Sequence, residues 1–212
     1  MTHDDHAAGE SNPAEPAGRL AAYGIGACYT WYRVLAAQAD RLAESGFVPE
    51  GYVFVIALRN LRRAAALVAS ALTAAEDQRA AAAALAEFDR ALPGSKEARD
   101  ILEHFDDYAR GTGALQRHQQ APAQFPVAVH IRPAASGGQQ MVLCVGDFTV
   151  PIADAATAAC LLMADMHAAA HPDPAYTSAW TRTALCDGAA HGVIPDRPHA
   201  TDPALPQVLH AE

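Results

Sequence analysis

A chain of 212 residues, 51% hydrophobic and 18% charged, is long enough to bury one sizeable core. Alanine makes up about half of that hydrophobic fraction, which favours helical packing and excludes a predominantly β chain. With 15 basic against 24 acidic residues the formal net charge is −9, a field that repels nucleic acid and anionic membrane at long range, so any RNA or DNA site must be a local basic pocket.

Residues 1–17 mix His, Asp, Glu and Ser with Pro13 and Pro16 and are expected to form a disordered arm. They lack the basic start and apolar run of a targeting peptide. From Arg19 to Glu44 the chain is helix-compatible, with Leu20, Tyr23, Ala27, Trp31, Val34, Leu35, Ala39 and Leu42 at three- and four-residue spacing and Gly46 as the stop. Within it, Gly24-x-Gly26 marks close helix packing rather than a phosphate loop, and Tyr29, Trp31 and Tyr32 are expected in the core or at a dimer interface. Pro49 suits the first turn of a second helix, whose apolar stripe is Tyr52, Val53, Ile56, Leu61, Leu67, Val68 and Leu72, with Arg59, Arg62 and Arg63 on the other face. A third helix, Glu76 to Leu92, is mostly alanine and closes at Pro93-Gly94.

Ser95 is the expected N-cap of a fourth helix, Lys96 to Arg110, with Glu97 in its first turn and Gly111 just past its end. Ile101, Leu102, Phe105 and Tyr108 form its buried stripe. The period then changes to two: Val127, Val129 and Ile131 alternate with polar or small residues, and Met141 to Val145 resumes after Ser136-Gly137-Gly138, predicting one β-hairpin over 127–146. Asp154 is expected to cap a fifth helix, Ala155 to Ala170, whose apolar run is too short to cross a bilayer. Six prolines between residues 171 and 212 predict a mobile tail. The expected fold is thus mainly α, a bundle of four to five helices over 18–170 with a small β-hairpin before the last helix.

Four cysteines (Cys28, Cys144, Cys160, Cys186) stand far apart with no Cys-x-x-Cys, which fits a reducing cytoplasm and small core thiols. A metal centre would need three of His104, His118, His130 and His167 to converge, and no pair has bundle-site spacing. No metal, cofactor or membrane partner is expected.

The segment that carries chemistry is Arg99-Asp100-Ile101-Leu102-Glu103-His104 on the fourth helix. Imidazole titrates near neutral pH and can take a proton from a ribose 2′-hydroxyl, while a guanidinium offers a planar fork of donors to phosphate oxygens. This Arg-x4-His, with a polar residue straight after the arginine, resembles the signature of the HEPN superfamily of α-helical bundles, as does the succession of four helices across about half of the chain. The resemblance implies a metal-independent endoribonuclease or RNA-binding protein of toxin or defence type from a bacterium, with His104 as acid/base, Arg99 on the scissile phosphate and Asp100, one turn before His104, fixing its tautomer. It also implies a homodimer, since positions 99 and 104 lie about 140° apart around a regular helix and a twofold partner would bring both groups to one cleft. The competing expectation is a non-catalytic helical dimer that binds a protein partner, antitoxin-like or scaffold-like. A groove lined by Arg99, Arg59, Arg62 or Arg63 would favour RNA and an acidic rim a protein.

Overall fold

The computed structural model describes residues 14–117, 126–134 and 137–171, with side chains from residue 17 onward. The fold is mainly helical with a small antiparallel sheet before the last helix, in agreement with the sequence. The elements are α1 (Ala14–Ser45), α2 (Val48–Ala71), α3 (Ala75–Ala91), α4 (Ser95–Glu103), α5 (Phe105–Ala109), β1 (Val127–Pro133), β2 (Gln139–Val145), β3 (Phe148–Pro151) and α6 (Ile152–Ala170).

α1 begins within the segment expected to be disordered. Pro16 falls among its first positions, where a backbone N–H has no intrahelical partner, so its missing N–H interrupts nothing. Residues 1–13 and the tail from 172 lie outside the described residues.

α1 and α2 pack closely along their length, and glycine sets the approach. A Cβ on Gly24 would stand 2.7 Å from Val68 Cγ2, whereas Gly26 faces open space, so only the first of the pair is a packing glycine. The buried line on α1 is Cys28, Tyr32, Leu35 and Leu42, while Leu20 and Tyr23 are exposed. α2 turns differently from its expected stripe. Phe54, Val55, Leu58, Leu61 and Val68 are inside, and Tyr52, Val53 and Ile56 are on the surface, because Gly51, Ala57, Ala64 and Ala65 occupy the close-contact face. Each large side chain fully enclosed there contributes about 1.5–3 kcal/mol by leaving water.

α6 is the central helix and packs on α1, α2 and α3. It is long and apolar enough to cross a membrane by length and composition, yet Ile152, Leu162, Met163 and Met166 are buried inside the bundle, which accounts for its apolar character. It starts three residues before its expected first residue, with Pro151 at the N-cap position, and Asp154 lies in the first turn, where its charge suits the macrodipole.

The hairpin is one strand short of what the chain forms. β1, β2 and β3 make a meander in the order β1-β2-β3, with Val129 opposite Leu143 and Leu143 opposite Val150. The second turn is the two-residue pair Gly146-Asp147, with Gly146 at φ 59° in the position that requires positive φ. Leu143, Val145 and Val150 join the bundle core.

Candidate functional site

The fourth helix expected over 96–110 is broken at His104, which leaves α-helical geometry at φ −118°, ψ 35° and separates α4 from α5. Its N-cap is Gly94 in the left-handed region at φ 84°, with Ser95 already the first helical residue and making no side-chain cap. The break is held from one side of the chain. The Tyr108 hydroxyl donates to Asp100 Oδ2 at 2.7 Å and accepts from the Leu115 backbone N–H at 3.2 Å. Gln116 Nε2 donates to the Tyr108 carbonyl and Gln116 Oε1 accepts from Gly113 N–H, both at 3.1 Å. In a straight helix residues eight apart are separated by about 12 Å along the axis and about 80° around it, and the kink brings Tyr108 and Asp100 together.

Asp100 therefore bonds Tyr108, and no hydrogen bond joins its carboxylate to the His104 ring. That expected tautomer-fixing contact is replaced because Tyr108 is buried and its hydroxyl needs an acceptor, while His104 projects into solvent. Burial, then the bond to Asp100, raises the Tyr108 pKa above its ordinary value.

Arg99 points elsewhere. It is half-buried and lines a cleft of about 580 Å³ bounded by α2, the end of α3 and the start of α4. The cleft floor is apolar, from Val55, Leu58, Phe88 and Leu92. Its walls carry Arg59, Arg62, Arg63, Lys96 and Arg99, against Asp89 and Glu97. The three arginines of α2 occur at i, i+3 and i+4 and so share a flank, and Lys96 and Arg99 are likewise three apart on α4.

Two of these cations are firmly paired. Arg62 gives a bidentate fork to Asp89, Nε to Oδ1 and Nη2 to Oδ2, each at 2.6 Å, and the hydrogen bond to Asp89 raises its pKa further. Arg59 Nη1 meets Glu103 Oε1 at 2.5 Å, tying α2 to α4. Glu103 is also the nearest acid to Arg99, with Nε 3.7 Å from Oε2, too long for a hydrogen bond. The Nε atoms of both Arg59 and Arg99 are shielded from solvent without an acceptor.

The structure thus brings Arg99 together with Arg59, Arg62 and Arg63 and leaves His104 outside the cleft lining. Arg110 is occupied by Asp106 at 2.9 Å and Asp107 at 3.7 Å and takes no part in the cleft. Sequence reasoning missed Lys96 as a wall residue, although its place at a helix start three residues before Arg99 was a usable signal. It also missed Glu103 as the partner of Arg59, a contact between helices that no local pattern encodes, whereas Arg99 and Glu103 are a local i,i+4 pair.

Among the described residues no group of three or more His, Cys, Asp or Glu side chains is arranged to hold a metal. His118 lies outside them, His104 and His130 are exposed, and His167 is buried at the end of α6 with its ring centroid 4.8 Å from that of His171. Cys28, Cys144 and Cys160 are buried, and burial pushes the Cys28 thiol up to about 12, leaving it protonated at neutral pH. Compared with known proteins, the chain matches no family model and, at a significant level, no curated sequence and no solved structure.

Proposed function

We propose that this chain is a HEPN-like RNA-binding bundle that cleaves RNA without a metal ion. One observation carries the reading: in a chain of net charge −9, Arg99 stands in a cleft wall with Arg59, Arg62, Arg63 and Lys96. Low-dielectric walls concentrate that positive potential, so the cleft attracts phosphate oxygens that the rest of the surface repels. Arg99 offers its guanidinium to a phosphate, where fixed donors stabilise the charge that develops during cleavage. His104, exposed at the helix break, supplies the proton transfer. Because its own chain keeps it out of the cleft lining, the mechanism takes His104 from a second copy across a twofold axis.

The test is RNA incubation of the purified chain with and without EDTA, beside Arg99→Ala and His104→Ala. Cleavage that survives EDTA and is lost in both variants supports the reading, and cleavage undiminished by His104→Ala overturns the mechanism.

A second reading, a non-catalytic module for a protein partner, is favoured by a separate observation. Tyr52, Val53 and Ile56 on α2 and Phe105 beside His104 expose large apolar side chains, Phe105 to 70%. Absence of any RNA binding, with a partner or second copy covering this face, would select it.

A further inference from the structure

The geometry points to the cleft between α2 and the α3–α4 turn as a pocket for a terminal phosphate monoester, carried on the 5′ end of an RNA strand or on a free nucleotide-sized metabolite. The RNA form rests on the function proposed above, and the free-metabolite form does not.

Some cations of the cleft are committed and others are not. Arg62 is charge-paired with Asp89 through a bidentate fork, and Arg59 is bound to Glu103. Arg63 and Lys96, by contrast, have no carboxylate within 4.0 Å among the described residues, and both are exposed at the cleft wall. Arg99 has only the distant oxygen of Glu103, and its Nε is shielded with no acceptor, as is that of Arg59. A guanidinium and an ammonium left free beside two under-satisfied guanidinium groups make a receptor for oxyanions, not a structural salt-bridge network.

The amount of charge points the same way. Five cations face three carboxylates, Asp89, Glu97 and Glu103, which leaves a surplus of two positive charges. An internal phosphodiester brings one negative charge, whereas a phosphate monoester brings about −1.5 to −2 at neutral pH with three acceptor oxygens. The surplus therefore accommodates a terminal phosphate.

Size and polarity also fit. At about 580 Å³ the cleft has the volume of a small-ligand site. Its floor of Val55, Leu58, Phe88 and Leu92 receives an apolar, planar body, while the cations stand on the walls. A ligand with a base or aromatic group behind its phosphate satisfies both.

The experiment is titration of the full-length chain, at fixed salt, with four probes: a 2′-O-methyl RNA decanucleotide with a 5′-phosphate, the same strand with a 5′-hydroxyl, adenosine 5′-monophosphate and adenosine. The methyl groups prevent consumption of the probe by any cleavage that uses the 2′-hydroxyl. The phosphorylated strand is expected to bind about tenfold more tightly than the hydroxyl strand, and the monophosphate to bind where adenosine does not. The double variant Arg63→Ala/Lys96→Ala should bring the phosphorylated strand down to the level of the hydroxyl strand, while Arg79→Ala, an exposed charge on α3 outside the cleft, leaves both unchanged. Circular dichroism checks that the double variant is folded. If both strands bind alike and the monophosphate does not bind, the pocket is wrong and the RNA reading stands. If the monophosphate binds and neither strand does, the pocket stands and the RNA reading falls. Phosphate-dependent binding that survives the double variant also overturns the assignment.

Discussion

Across the break at His104, the hydroxyl of Tyr108 donates a 2.7 Å hydrogen bond to the carboxylate of Asp100. This contact and the Leu115 N–H are what a Tyr108→Phe substitution removes, leaving a charged acceptor without its donor. The expected loss is about 1.5–3 kcal/mol of unfolding free energy, measured by urea titration. An Asp100→Asn/Tyr108→Phe double-mutant cycle should show coupling, and strict additivity would count against the bond. The pH dependence has a definite sign. The raised Tyr108 pKa means that the folded state holds this proton more tightly, so the contribution is complete below the ordinary value of 10.0 and is lost as pH rises through the folded value.

Gly24→Ala should destabilise the bundle, whereas Gly26→Ala should not. The added Cβ at Gly24 stands 2.7 Å from Val68 Cγ2 and 3.2 Å from the Val68 backbone nitrogen, so α1 and α2 must move apart, at a cost of about 1–3 kcal/mol. Gly26 has nothing within 4 Å, and alanine there improves helix propensity by up to about 1 kcal/mol. Thermal denaturation of the two variants checks the contrast, and equal shifts would contradict the packing.

These contrasts show what the sequence makes legible. Helix order, the stops at Gly46 and Gly94 and the change of period near Val127 are local signals, and the structure follows them. The kink at His104 is not local. Residues 99–109 contain neither proline nor glycine, and the break is set by Tyr108 reaching back to Asp100 and forward to Leu115 and Gln116. The ring of Tyr108 also packs on Gly113 so closely that any Cβ there would collide with it. The third strand had a sequence signal in Gly146-Asp147 between two apolar runs, which the hairpin reading passed over. The outward face of Tyr52 and Ile56 could not be read, because alanine and glycine, weak hydrophobic markers, take the close-contact side of α2. For the site, Arg99 was visible as a motif residue, but the convergence of Arg59, Arg62, Arg63 and Lys96 beside it depends on how α2 meets α4.

Glu103→Gln is expected to separate stability from binding. The carboxylate neutralises Arg59 at 2.5 Å and lies 3.7 Å from Arg99, so its loss leaves two guanidinium groups uncompensated at a partly buried position. Stability should fall by about 1–2 kcal/mol, between the effects of exposed and buried pairs. Affinity for RNA should rise, with a steeper dependence on salt, because the cleft gains positive charge. Weaker binding by this variant would mean that RNA does not use the cleft.

The Cys28 thiol should resist alkylation in the native protein. It is buried, and desolvation pushes its pKa from 9.0 to about 12, so almost no thiolate exists at pH 8 and reagent has no access. Peptide mass spectrometry after brief iodoacetamide treatment should find Cys28 unmodified until urea unfolds the chain. The linkage again weakens the fold in alkali: the folded state keeps the proton, so stability declines once pH passes 9.0, where the unfolded thiol ionises.

Catalysis across two chains makes an arithmetic prediction. If the Arg99 of one chain works with the His104 of its partner, the variants Arg99→Ala and His104→Ala are each inactive alone. Mixing them and allowing subunits to exchange makes half of the dimers mixed, and each mixed dimer holds one site with both groups intact and one with neither. Activity should recover to about a quarter of the wild-type level at equal total protein. Groups acting within one chain would give no recovery, since every chain in the mixture lacks one of them. His104 is exposed and absent from the lining of its own cleft, which is the geometry that complementation requires. A mixture that stays inactive while native mass spectrometry, with one variant isotope-labelled, shows exchanged dimers would place the reacting groups in a single subunit.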